Sequence, residues 1–221
     1  MTISDLLHIG RGVTALIGGG GKTTLLYALT EELRKKGTVI LCTSTHILMP
    51  EQYPLVTGGA EELAAALTAH GAACAGTPAE GGKLTAPRIS FEALAALADY
   101  VLVEADGAKR LPLKAHAPHE PVIPANAGRT VLVVGADGFG RPIRDVCHRP
   151  ERWAELAGAG TGDLVTPELA ARVIAAEGFG DRCYVNKVES AAAYEAAAEL
   201  AKRLNCPVVA GSLHKGVYTR F

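Results

Sequence analysis

Short apolar runs alternate along this chain with longer segments in which apolar residues recur every three or four positions. The runs predict strands at residues 14–17, 39–43, 100–104, 130–134, 183–185 and 207–210. The recurring segments predict helices over residues 23–36, 60–70, 91–99, 150–156, 167–177 and 191–204. Short apolar strands separated by helices are those of a parallel sheet joined by right-handed crossovers. The expected fold class is therefore α/β, a doubly wound, mostly parallel sheet with helices on both faces. Residues 71–87, rich in Gly, Ala and Pro, read as a surface excursion, with a small hairpin as one form of it. The whole of 1–221 is expected to be one domain, without internal repeats. In such sheets ligands bind beyond the carboxyl ends of the strands, so the residues that follow each strand carry the functional reading.

After the first strand comes Gly18-Gly19-Gly20-Gly21-Lys22-Thr23-Thr24, which leads directly into a helix. Glycines let successive backbone N–H groups converge on phosphate oxygens, and a helix N-terminus adds partial positive charge. Lys22 is placed to reach the β/γ-phosphates and the Thr23 hydroxyl to sit on Mg²⁺. A flexible linker has no reason to carry Lys-Thr-Thr between two ordered elements. The expected sheet thereby becomes P-loop NTPase-like. The commonest spacing would put a glycine at position 16, where Leu16 stands. The form Gly-Gly-x-Gly-Lys-Thr-Thr instead resembles the branch that holds metal-insertion GTPases and partitioning ATPases. Partitioning ATPases carry a further lysine before the glycines; here that position is Ile17, so no lysine is expected to reach across a dimer.

Three more strand ends carry candidate chemistry. Thr43-Ser44-Thr45-His46 offers hydroxyls for a metal-bound water or a γ-phosphate, or a hydrogen-bonded turn with a packed His46. In Glu104-Ala105-Asp106-Gly107 the two carboxylates share one face by strand alternation. Either supplies the hard oxygen that Mg²⁺ requires, and the sequence leaves open which does. Lys22 and Asp106 are the residues expected to act in turnover. No base for the attacking water is assigned, because phosphoryl transfer needs chiefly positioning and charge. Asn186-Lys187-Val188-Glu189 resembles the Asn-Lys-x-Asp guanine motif of GTPases. A carboxylate accepts from guanine N–H groups but faces a lone pair on adenine, which favours GTP over ATP. Glu189 stands where the motif has aspartate, about one bond length further out.

Between strands, residues 109–124 are basic and proline-rich, which precludes a helix. Lys109, Lys114, His119 and Arg149 are candidates for holding an anionic second substrate, with His46 and Cys147 as further second-site candidates. The spacing of His116 and His119 does not by itself define a zinc site. Cys147, between basic neighbours, reads either as a soft ligand of lowered pKa for metal or selenium, or as a buried small apolar residue.

Composition narrows the classes. With 221 residues, net charge −1 and 48% hydrophobic residues, one sizeable core is expected, and a general nucleic-acid binder is not. Residues 1–10 lack a basic n-region and an apolar h-region, and no later stretch is long enough to span a bilayer. Five scattered cysteines without a C-x-x-C pair fit a reduced cytoplasm better than a disulfide framework. A cytoplasmic location, with no membrane or nucleic-acid partner, is the expectation.

Several blocks together resemble one family closely. They are the glycine loop with Lys-Thr-Thr, Thr-Ser-Thr-His, Val-Glu-Ala-Asp-Gly-Ala-Lys-Arg-Leu-Pro-Leu-Lys-Ala, His-Glu-Pro-Val-Ile-Pro, His-Arg-Pro-Glu and Asn-Lys-Val-Glu. The chain is similar to the YqeC family along nearly its whole length. His116 stands where a proline is expected, and Glu189 where an aspartate is. The resemblance implies an accessory role in maturing selenium-dependent molybdenum hydroxylases or their cofactor, with the apoprotein or cofactor-handling proteins as partners. The reading that results is a Mg²⁺-nucleotide binder, with GTP or ATP, that hydrolyses slowly. The alternatives are a small-molecule kinase or nucleotidyltransferase, and a non-hydrolysing, nucleotide-gated carrier or scaffold.

Overall fold

Two strands, at Val39–Thr43 and Tyr100–Glu104, are buried at every position rather than at alternate ones. That is the pattern of central strands in a parallel sheet. The computed structural model describes residues 1–48 and 52–221. Its contacts divide the chain into two compact units. The first comprises Met1–Leu16, Thr23–Gly107 and Pro121–Thr130, and the second Ile17–Lys22, Ala108–Glu120 and Val131–Phe221.

The first unit holds α1 (Ile3–Leu6), most of β1 (Gly12–Gly18), α2 (Lys22–Leu33) from Thr23 onward, β2 (Val39–Thr43), β3 (Ile47–Leu48) and β4 (Leu55–Val56). It continues with α3 (Ala60–His70), β5 (Ala72–Ala75), β6 (Thr77–Ala79), β7 (Lys83–Thr85), α4 (Phe91–Leu97) and β8 (Tyr100–Glu104). Its main sheet runs β1-β8-β2-β5-β4 with all neighbours parallel. Val13, Ile40, Val101 and Val103 pack with Leu63, Leu67 and Leu94 from α3 and α4. Each fully buried aliphatic side chain there contributes about 1.5–3 kcal/mol relative to exposure. Strand register matters for function, because Glu104 lies opposite both Leu16 of β1 and Thr43 of β2.

The second unit holds β9 (Leu113–Lys114), most of β10 (Ala127–Gly135), α5 (Ile143–Val146), β11 (Cys147–His148), α6 (Pro150–Ala157) and α7 (Pro167–Glu177). Then follow β12 (Arg182–Asn186), α8 (Ala191–Ala201), β13 (Val208–Ser212) and β14 (Val217–Arg220). Strands β10, β12 and β13 are parallel neighbours, and β14 closes the edge antiparallel to β13. Trp153 and Tyr184 are its largest fully buried side chains.

The expected mostly parallel α/β sheet is the observed one, and several elements fall where the periodicity puts them. In α7 the Thr166 hydroxyl accepts from Leu169 N–H, Pro167 opens the helix, and Gly178 ends it in the left-handed region at φ 66°. Three features differ from expectation. Residues 72–75, placed in a surface excursion, form the fully buried strand β5 between β2 and β4. Ala-Ala-Cys-Ala is too small to read as a strand, but Ala73 and Ala75 belong to the core cluster with Leu63 and Leu67 of α3. The hairpin within that stretch does form, as β6 paired antiparallel with β7. The edge strand β14 and the early end of α2 at Leu33 were not signalled; Lys36 N–H instead bonds Leu33 O at 2.8 Å in a tight turn before Gly37.

Candidate functional site

The glycine loop is shaped first by its neighbours in the second unit. Gly18, Gly20 and Gly21 have positive φ values of 92°, 73° and 117°. A Cβ on Gly18 would lie 2.5 Å from Val133 O, and one on Gly19 2.6 Å from Leu111 O. A Cβ on Gly20 would overlap the backbone nitrogen of Gly135. Two loop donors are already engaged: Gly19 N–H bonds Val133 O at 2.9 Å, and Gly20 N–H bonds Leu111 O at 3.0 Å. Those two N–H groups are therefore held by carbonyls of the second unit. The first-turn N–H groups of α2 have no intrahelical partner, as at any helix start. Lys22 is 5% exposed and its ammonium donates to Gly18 O at 2.6 Å.

The next residue, Thr23, belongs to the first unit and settles which carboxylate it meets. Its hydroxyl donates to Glu104 Oε2 at 2.9 Å. Glu104 is held from the backbone side, where Thr43 Oγ1 donates to its carbonyl at 2.7 Å and Ser44 N–H at 3.2 Å. Asp106 is fully buried two residues beyond the end of β8. Ala105 is pinned on both sides, donating to Leu16 O and accepting from Val122 N–H, each at 2.9 Å. Ser44 Oγ in turn donates to Val122 O at 2.6 Å. The Glu-Ala-Asp-Gly and Pro-Val-Ile-Pro blocks, apart in sequence, thus meet through Val122. A hydroxyl and a carboxylate oxygen in direct contact are the hard donors that suit Mg²⁺, so Thr23 and Glu104 fit that ion. His46 is exposed, just ahead of β3.

In the second unit, Asn186 ends β12 and is 5% exposed. Its amide nitrogen donates to Gly20 O at 2.9 Å, while its oxygen accepts from Tyr184 Oη at 3.2 Å and Leu213 N–H at 3.3 Å. Asn186 therefore braces the glycine loop. Lys187 takes a left-handed conformation (φ 62°) and pairs with Asp137 at 2.7 Å. Glu189 accepts from Ser212 Oγ at 2.7 Å. Lys187 and Glu189 line a groove of about 610 Å³ with Asp137, Phe139, Ser190 and Ala193, a volume in the range of small-molecule sites.

The basic candidates divide. Lys114 and Arg149 pair with Glu120, and these two and Lys109 act as positive charges on His148, whereas His119 is exposed in the turn before Glu120. His116 is buried against α7, with Nδ1 2.8 Å from Glu177 Oε2, and does not join His119. Among the described residues, no group of three or more His, Cys, Asp and Glu could hold a metal ion. Cys147 is 1% exposed and burial pushes its thiol up to about 12, which fits the buried small apolar residue of the two readings and not the soft ligand of lowered pKa. Residues missed at the sequence level are Glu120, His148, Ser212 and Asp137. Only Glu120 carried a signal, as the lone carboxylate in a basic stretch.

A parallel α/β sheet with a glycine loop, Lys-Thr-Thr at a helix start and an acidic neighbouring strand end defines a P-loop NTPase-like protein. The chain belongs to the YqeC family, whose profile, described as YqeC protein, matches residues 14–151. It is 34% identical over 157 residues to the YqeC protein of Escherichia coli (strain K12), covering 66% of this chain and 60% of that relative's length. Among solved structures it is similar to the 54 kDa signal recognition particle protein of Aeropyrum pernix K1 in complex with GDP. That similarity has 17% identity and a TM-score of 0.46, over 96% of this chain and 44% of the other. No helix among the described residues is long and apolar enough to cross a membrane.

Proposed function

We propose that this protein binds a Mg²⁺-nucleotide and hydrolyses it slowly, and that the cycle serves maturation of selenium-dependent molybdenum hydroxylases or their cofactor. The contact between Thr23 and Glu104, one residue after Lys22, carries the reading. Lys22 and the N-terminus of α2 would bind the phosphates, and Thr23 with Glu104 would hold the metal, with Asp106 as the second carboxylate. The metal supplies charge that offsets what develops on the transferred phosphoryl group. The groove beside Lys187 and Glu189 would take the base, with GTP preferred over ATP. Family membership supports the accessory role, in which the hydroxylase apoprotein or cofactor-handling proteins in the cytoplasm are the partners.

A titration with GTP and ATP, with and without Mg²⁺, tests the nucleotide reading. Binding that Mg²⁺ strengthens and that Lys22→Ala weakens by about 2–5 kcal/mol is expected. Affinity unchanged by Lys22→Ala would overturn it. The accessory role is tested separately: without this chain, purified hydroxylase should lack selenium by elemental analysis.

A further inference from the structure

A basic cluster in the second unit, centred on Lys114, Glu120, His148 and Arg149, lies outside the glycine loop. Strands β9 and β11 pair in parallel with His148 opposite Lys114, and Ala115 N–H bonds His148 O at 3.1 Å. The Lys114 side chain is wholly buried, with its ammonium 2.8 Å from Glu120 Oε2. Arg149 Nη1 lies 2.7 Å from the same carboxylate oxygen and 3.2 Å from Ala115 O, so both contacts use one nitrogen of the guanidinium. Arg149, Lys114 and Lys109 act on His148 as positive charges, and Glu120 acts against them. Nδ1 of His148 is buried and has no hydrogen-bond partner among the described residues.

Backbone conformation gives an independent observation. Among the described residues, five non-glycine residues have positive φ, and three of them are Lys109 (48°), Arg110 (63°) and Arg149 (61°). Side chains with a Cβ avoid this region, and a residue persists there only when its surroundings impose it. Leu111, directly after the Lys109–Arg110 turn, accepts the Gly20 N–H, which ties this turn to the loop.

We infer that the cluster of Lys109, Lys114, His148 and Arg149 is a second binding site, selective for a tetrahedral oxyanion such as a phosphate monoester that displaces Glu120 from Arg149. A dianion matches the excess of positive charge better than one carboxylate does, and the fork of Arg149 suits bidentate contact with two of its oxygens. The incoming anion competes with Glu120 for Arg149, while Lys114 keeps a counter-charge throughout. The site would hold an anionic second substrate or cargo group.

The test is calorimetric titration with inorganic phosphate, sulfate and acetate in a Lys22→Ala background, so that the nucleotide reading and this one fail separately. Phosphate binding is expected to persist without Lys22, to weaken about tenfold in Arg149→Lys and Lys109→Ala, and to tighten in Glu120→Gln. Sulfate should compete with phosphate and acetate should not. Lys109 is exposed, so its variant folds whatever Glu120→Gln does to the packing around Lys114. Should Glu120→Gln unfold, phosphate should restore its melting temperature. Loss of phosphate binding with Lys22→Ala alone, indifference to Lys109→Ala and Arg149→Lys, or acetate binding equal to phosphate would each overturn the inference.

Discussion

The amide of Asn186 donates to the carbonyl of Gly20 at 2.9 Å, joining the end of β12 to the glycine loop. In a guanine motif an asparagine is expected near the base, but this one acts on the loop backbone. Asn186→Ala should therefore cost about 1–3 kcal/mol in urea unfolding, because a buried carbonyl loses its donor. It should weaken GTP and ATP equally. A selective loss of GTP would show that Asn186 reads the base instead.

Thr23 and Glu104 form the metal-facing pair. Thr23→Ala and Glu104→Gln should each reduce the gain in nucleotide affinity that Mg²⁺ brings, with less effect on binding in chelator. Asp106→Asn separates the two carboxylates: the Mg²⁺ dependence should fall further in Glu104→Gln than in Asp106→Asn. The opposite order would move the metal ligand to Asp106.

Glu189 is exposed, but its carboxylate accepts from Ser212 Oγ at 2.7 Å, which anchors the longer side chain. GTP should bind more tightly than ATP, and Glu189→Ala should erase the preference by weakening GTP, because an unpaired polar group penalises the wrong base. Ser212→Ala should reduce the preference while keeping the carboxylate. Equal affinities in the unmodified protein refute the guanine reading and leave the phosphate site standing.

Stability should fall on mild acidification through His148. Burial first, then the charges of Arg149 and Lys114, hold its imidazole below the ordinary 6.5, against the opposing effect of Glu120. The unfolded chain then binds a proton more readily than the folded one. This contribution is full above pH 6.5 and is lost as pH falls from 6.5 through the lower folded value. His148→Gln should flatten the melting temperature across that window. An unchanged slope would show that other groups set it.

Glu120 shows why part of the site was hidden. In sequence it is one carboxylate inside a proline-rich block, and nothing in that block says that it faces Lys114 and Arg149. Its carboxyl is held below the usual range although burial opposes ionisation, because both cations lie within ion-pair distance. Arg149 lies 29 positions further along the chain, and only the β9–β11 pairing brings it back. For Cys147 the two open readings are separated by burial, which sequence neighbours do not report: it is the buried small residue, and burial raises its thiol pKa.

The sequence by itself determined the alternation of strands and helices, the caps of α7, the Gly18–Thr24 loop and its attachment to a helix, and the family. Each of these is local: periodicity, capping and a glycine run act over a few residues, and the chain carries them wherever it folds. Tertiary structure decided the rest. It chose Glu104 as the partner of Thr23 through strand register, and it engaged the Gly19 and Gly20 N–H groups with Val133 and Leu111. It turned Asn186 onto the loop and placed Ala72–Ala75 inside a sheet. These outcomes depend on which distant segments pack side by side, and hydrogen-bond satisfaction and burial across such segments leave no periodic trace along the chain.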